Sequence, residues 1–194
     1  QDAKDTVAEI SALCLAAEAI DLALGAAGAG EDVDMNAANF DPVKLINARI
    51  RQLVLSAPCF EVGVLFGFAA AQRFAEHPNV LARCPGGPNW SLHPSLFATN
   101  AEFRTSWLAK DAAKPGLDAD MRFLLDDEVL IFARSAKPNR RDPSFMKTFS
   151  FEVPDPLIGT YGSTDGRRTI AKSSWYTDVK VTNLAGVIRL NFLE

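Results

Sequence analysis

The groups in this chain that could do chemistry are few: two histidines, three cysteines and one dense run of acids, Asp126-Asp127-Glu128. His77 and His93 each precede a proline, which puts each at an element boundary. Cys84 lies seven positions after His77 and nine before His93. Zinc sites use shorter ligand spacings, so this trio carries no metal signature. Cys59 and His77 would be the pair for a thiol nucleophile, but neither a nucleophile elbow nor a catalytic-cysteine context surrounds them. Neighbouring acids on a helix point in different directions, so the 126–128 run reads as a solvated face rather than an acid–base pair. The glycine-rich pieces at 25–30 and 85–88 match neither a phosphate loop nor a dinucleotide fingerprint. Asn89-Trp90-Ser91 has the form of a glycosylation acceptor, a triplet common by chance. No catalytic residue, cofactor site or metal site is assigned.

The cysteines leave two readings open. Cys59 and Cys84 stand at the two ends of one helix-plus-loop unit, and in an exported protein they would form a disulfide. In a reducing compartment all three are packing residues. Cys14 falls on the apolar stripe of the first helix and reads as a small buried hydrophobe. The residues do not assign a compartment. The chain starts at Gln1 with no basic-plus-apolar leader, which fits either a removed leader or a trimmed start. Its longest apolar stretch, Val62 to Ala71, is ten residues, against about twenty for a membrane span.

Charge is the strongest signal. Residues 1–133 carry 10 Lys+Arg against 18 Asp+Glu, and residues 134–194 carry 10 against 6, so a net of −8 is followed by a net of +4. Opposite charge at the two ends of a chain can steer one copy's tail toward another copy's body. Arg140, Arg141, Arg167, Arg168 and Lys172 are the candidate contacts for an anion or an acidic partner, with Trp175 and Tyr176 interleaved. Such a surface suits nucleic-acid phosphates or an acidic protein face, and solvated strands explain it equally well. Phe supplies 13 of the 18 aromatics and has no polar handle, so the aromatics read as core and interface filler.

These residues must be positioned by an α+β fold. Val7, Ile10, Leu13, Ala17, Ile20 and Leu24 recur at helical spacing and predict a helix over 3–24. Residues 31–40 read as a polar loop. Asp41-Pro42 is an N-cap followed by proline at the first helical position, and the stripe Val43, Ile46, Ile50, Leu53 carries that helix to about Ala57. Residues 59–76 are apolar nearly all round and predict a central buried helix, with Gly63, Gly67 and Ala71 spaced for close helix packing. A proline- and glycine-rich connector follows over 85–95. Further helices are expected over 100–114 and 117–134, although Val129–Phe132 also fits a short buried strand.

Beyond residue 135 the period changes to two. Phe145 to Val153, Thr169 to Thr182 and Val187 to Phe192 predict strands, with Asp165-Gly166 as a turn. The expectation is thus an N-terminal bundle of four to five helices over 1–134, then a basic β-rich segment over 135–194 forming a small antiparallel sheet or an extended arm. At 194 residues the chain can bury a self-sufficient core. With no catalytic signature, the split charge points to a non-catalytic assembly subunit of a larger particle, filament or complex. Its partners would be copies of itself or other protein subunits, with nucleic acid as a further option, and a virion component is one version. The alternative is an exported enzyme, or an accessory subunit of one, with a pocket near the 77–95 connector.

Overall fold

The structure is a computed structural model that describes residues 2–57, 61–84, 101–105, 108–110, 121–135, 139, 141–150, 157–162, 169–174 and 177–193. A five-stranded mixed sheet separates two unequal layers. In chain order its strands are β1 (Glu31–Asp34), β2 (Glu61–Phe66), β3 (Ala101–Thr105), β6 (Glu128–Arg134) and β11 (Val187–Leu193). Their spatial order is β1-β11-β6-β2-β3. The first pair, β1 with β11, is parallel, as is β2 with β3, while β6 runs antiparallel to both β11 and β2. Three further two-stranded ladders complete the strands: β4 (Leu108–Lys110) with β5 (Met121–Phe123), β7 (Met146–Ser150) with β10 (Thr177–Val181), and β8 (Leu157–Gly162) with β9 (Thr169–Ser174). The last two ladders nest in one hairpin excursion and differ in register by four residues.

Four helices lie among the described residues: α1 (Asp2–Ala27), α2 (Pro42–Ser56), α3 (Phe68–Glu76) and α4 (Pro78–Leu81). One face of the sheet presents Val62, Val64, Phe66, Val129, Ile131, Leu190 and Phe192 to Ile46, Ile50 and Leu53 of α2, Phe74 of α3 and Val80 of α4. Each such side chain contributes roughly 1.5–3 kcal/mol by leaving water. The other face carries Leu65, Leu130, Phe132 and Val187 and meets Ile20, Ala23 and Leu24 of α1 together with Phe145, Met146 and Val181 at the root of the hairpin. Alternate residues of β2, β6 and β11 serve opposite layers, as the strand period requires.

The expected four-to-five-helix bundle is not the architecture. Residues 61–66 of the expected central helix form β2, and only Phe68–Glu76 is helical. A strand covered on both faces loses its polar alternation, so a buried central strand reads like an all-round apolar helix. The Gly63 and Gly67 spacing does not serve helix packing. The ring of Phe132 fills the space over Gly63, and the backbone of Asp126 crowds Gly67. The stretches 100–114 and 117–134 supply β3, β4, β5 and β6, so Val129–Phe132 is strand. Residues 31–34, expected in a loop, pair with β11 as an edge strand whose single buried side chain is Val33.

Three expectations hold, the third in part. The first helix and the Asp41-capped second helix are where periodicity puts them. β7, β9 and β10 fall within the expected strand stretches 145–153 and 169–182, and β11 matches 187–192 with one residue more. β8 is not among the expected strands, and residues 151–153 and 175–176 lie outside the described residues. The three strand segments do not share one small sheet, however. β11 returns to the main sheet, between β1 and β6.

Candidate assembly surface

Among the described residues, four of the tail cations, Arg134, Lys147, Lys180 and Arg189, are tied to acids within the fold. Arg134 pairs with Glu61 at 3.3 Å, Lys180 with Asp178 at 2.9 Å, and Arg189 with Glu128 at 3.1 Å. Arg189 also donates to the Gly28 carbonyl at 2.9 Å, and Asn191 donates to Ala29 and Asp32, so β11 clamps the turn after α1. The acid run forms part of the same network rather than a solvated helix face. Asp126 Oδ1 accepts from the Ala69 amide at the start of α3, and Asp127 accepts from Arg73 at 2.8 Å. Arg73 in turn donates to the Phe192 carbonyl.

The root of the hairpin is a tight polar loop. Asp142 accepts from the Asn139 amide at 2.6 Å and from both the hydroxyl and the amide of Ser144, while Lys147 Nζ reaches the Asp142 carbonyl at 2.9 Å and its carboxylate at 3.5 Å. The Ser144 hydroxyl, then the Asn139 amide, hold the Asp142 carboxyl well below the usual carboxylate range. Thr182 and Asn183 bond back to the carbonyls of Pro143, Ser144 and Phe145, fixing the point where the hairpin leaves the body.

Above this loop lies a groove of about 740 Å3 between α1, the sheet and β7. Its floor is apolar, from Ile20, Leu65, Phe132 and Phe145, and Arg134 and Lys147 stand at its rim. Phe149 of β7 also lines this groove and is 44% exposed, and Leu22 on α1 is exposed as well.

Of the candidate contact residues, Arg141 is exposed, with its amide donating to Asn139 Oδ1 at 2.8 Å. Lys172 falls in β9, opposite Gly159. Arg140, Arg167, Arg168, Trp175, Tyr176 and the Asp165-Gly166 turn lie outside the described residues, as do Cys59, His93, the 85–88 glycines and the Asn89 triplet. Cys84, the other half of the expected disulfide, is buried just after α4. Cys14 is exposed, not buried, because α1 is apolar on several sides and its stripe does not identify the inward face.

A second cleft, of about 550 Å3, adjoins His77. The His77 Nδ1 accepts from the Asn79 amide at 3.2 Å, which leaves the proton of the neutral ring on Nε2. Phe40 sets its edge on this ring at 5.9 Å. Arg73 is committed to Asp127 and Phe192, and Glu76 accepts from Gln72. Among the described residues no serine, threonine, cysteine or lysine lines the cleft. Among the described residues no cluster of three or more metal-ligating side chains occurs, and no helix is long and apolar enough to cross a membrane. The exposed pair Leu22 and Phe149 escaped the sequence reading, since exposure of an apolar residue follows from tertiary packing alone.

No family model matches the chain, and no curated protein matches it. Solved structures do. A phage-related protein from Bordetella bronchiseptica RB50 aligns with 96% of this chain at 18% identity and a TM-score of 0.76. The virus-like particle from Pyrococcus furiosus aligns with 92% at 12% identity and a TM-score of 0.50. A structure described as Mycobacterium phage Che8 aligns with 93% at 13% identity and a TM-score of 0.48. At these identities the likeness is one of fold. The chain spans 65% of the length of the Bordetella protein and 61% of the Pyrococcus one.

Proposed function

We propose that this protein is a non-catalytic structural subunit that packs with copies of itself into a phage-like or virus-like shell. The observation that carries the reading is the extent of the fold likeness: nearly the whole chain aligns with a phage-related protein, and also with the subunit of a virus-like particle. The hairpin supports it physically. A two-stranded ribbon keeps a hydrogen-bonding edge on each side and cannot bury both faces alone, so it suits contact with a neighbour. Within residues 135–194, the contact element is the excursion from Asn139 to Val181, since β11 is committed to the main sheet.

Imaging the purified chain by negative-stain electron microscopy over a range of protein concentrations tests this reading. Curved or closed assemblies of uniform size are expected. Single subunits at every concentration would overturn it.

A further inference from the structure

Two outward faces of this subunit are complementary in charge and both carry exposed apolar groups. The first belongs to α1. Cys14, Glu18, Asp21, Leu22 and Gly25 are exposed and recur at three and four, so they form one stripe. The opposite side of the helix buries Ala23 and packs Ile20 and Leu24 on the second core. Residues 5–43, which include most of α1 and all of β1, contain eight acids and no Lys or Arg. A helix with apolar residues on its solvent side as well as its core side is normally covered on both.

The second face belongs to the β7–β10 ribbon. Met146, Val179 and Val181 turn inward, and Val179 is buried. Phe149, Asp178 and Lys180 lie on the other side and are exposed. Register sets Lys147 directly opposite Lys180, an unfavourable like-charge pair. Lys147 bends away to Asp142 and is only 11% exposed, whereas Lys180 is 63% exposed. Its contact with Asp178 is a surface pair, which competes weakly with an added acidic partner. Arg141, also exposed, sits at the root of the same hairpin.

We propose that the outward face of α1 in one copy receives the outer face of the β7–β10 ribbon of a second copy. Glu18 and Asp21 meet Lys180 and Arg141, and Leu22 meets Phe149. The inference rests on the self-assembly reading above and names the surfaces that carry it. Among the described residues, Glu18 and Asp21 make no ion pair with Lys180 or Arg141, and Lys180 pairs with Asp178 instead, so within one subunit the two patches do not neutralise each other. Complementary patches of this kind either close as a two-fold pair or, when the contact runs head to tail, propagate from copy to copy as a shell requires.

Charge reversal tests this. Glu18→Lys/Asp21→Lys and Arg141→Glu/Lys180→Glu change exposed residues, and the unfolding midpoint of each variant is measured to confirm the fold. Each variant alone should lose about tenfold or more in assembled fraction at low salt. Mixing the two, or combining all four changes in one chain, should restore it. Cys14 adds an independent readout: maleimide should label it in dissociated subunits and not in assemblies. Reversed variants that assemble like the parent, a combined variant that stays dissociated, or equal labelling of Cys14 in both states would overturn the inference while leaving self-assembly standing. A parent chain that never assembles would overturn both.

Discussion

The ring of Phe132 lies over Gly63, with its Cζ 2.5 Å from where a Cβ on that glycine would stand. The two residues face each other in the β2–β6 ladder, so glycine is what lets the aromatic lie flat on the sheet beneath α1. Gly63→Ala should push the ring out of place at a cost of about 1–3 kcal/mol. Urea unfolding should show a lower midpoint with an unchanged slope. Gly63→Ala with Phe132→Leu should recover part of the loss, because residues in contact are not additive. Strict additivity would contradict the contact.

Gly67 is held more tightly. Its amide donates to Glu128 O at 2.8 Å, and the atoms crowding it belong to the Asp126 backbone, which cannot rotate away. The Phe68 amide at the start of α3 donates to the Leu125 carbonyl, and Asp126 supplies the next two acceptors: its carboxylate for Ala69 at 3.2 Å and its carbonyl for Ala70 at 2.9 Å. Gly67→Ala should therefore cost more than Gly63→Ala. Asp126→Ala should cost about 0.5–2 kcal/mol, the usual range for a lost cap. Thermal melts of the three variants in parallel give the order, and a Gly67→Ala protein as stable as the parent would refute it.

Asp41 does two jobs. Its carboxylate accepts from the amides of Val43 and Lys44 at the start of α2, and it binds Arg83 through both oxygens at 2.8 and 2.7 Å. The Arg83 hydrogen bonds, against the opposing effect of burial, bring its pKa from 3.8 down to about 2. A carboxyl lowered on folding adds stability that is full above about pH 4 and is lost as pH falls through about 2. Asp41→Asn should be less stable than the parent by about 1–2 kcal/mol near pH 6. The gap should close as pH approaches 2 in denaturant unfolding. A gap independent of pH would exclude the ionised pair as its source.

Arg73 ties α3 to the end of β11 through Asp127 and the Phe192 carbonyl. Arg73→Leu leaves that carbonyl short of a donor, a loss of about 1–3 kcal/mol. Faster hydrogen exchange should appear over residues 187–193 before other strands of the sheet. Uniform exchange across the sheet would count against a local clamp.

The first two helices and the later strands β7, β9, β10 and β11 were legible in the residues, whereas β1 to β5, β8 and most of the pairing were not. Asp41-Pro42 and the one-sided stripe of α2 announce both ends of that helix because one face is wet. β2 has no wet face, so Glu61–Phe66 carries no alternation and joins α3 in what looks like a single helix. β1 needs only Val33 inside, too little for any period to appear. β11 was visible as a strand, but its place between β1 and β6 depends on residues far away in sequence. The same holds for the candidate surface. The cluster of tail cations was plain, whereas the partners that engage Arg134, Lys147 and Arg189, namely Glu61, Asp142 and Glu128, are set by the fold.

Mass by static light scattering, at fixed protein concentration in 0.1 M and then 1 M salt, tests self-assembly most directly. The Debye length falls from ~10 Å to ~3 Å between these conditions, so contacts steered by charge weaken. The expected result is a mass many times the 21.0 kDa of one chain at low salt, dropping at high salt. A mass of 21.0 kDa in both would contradict the account.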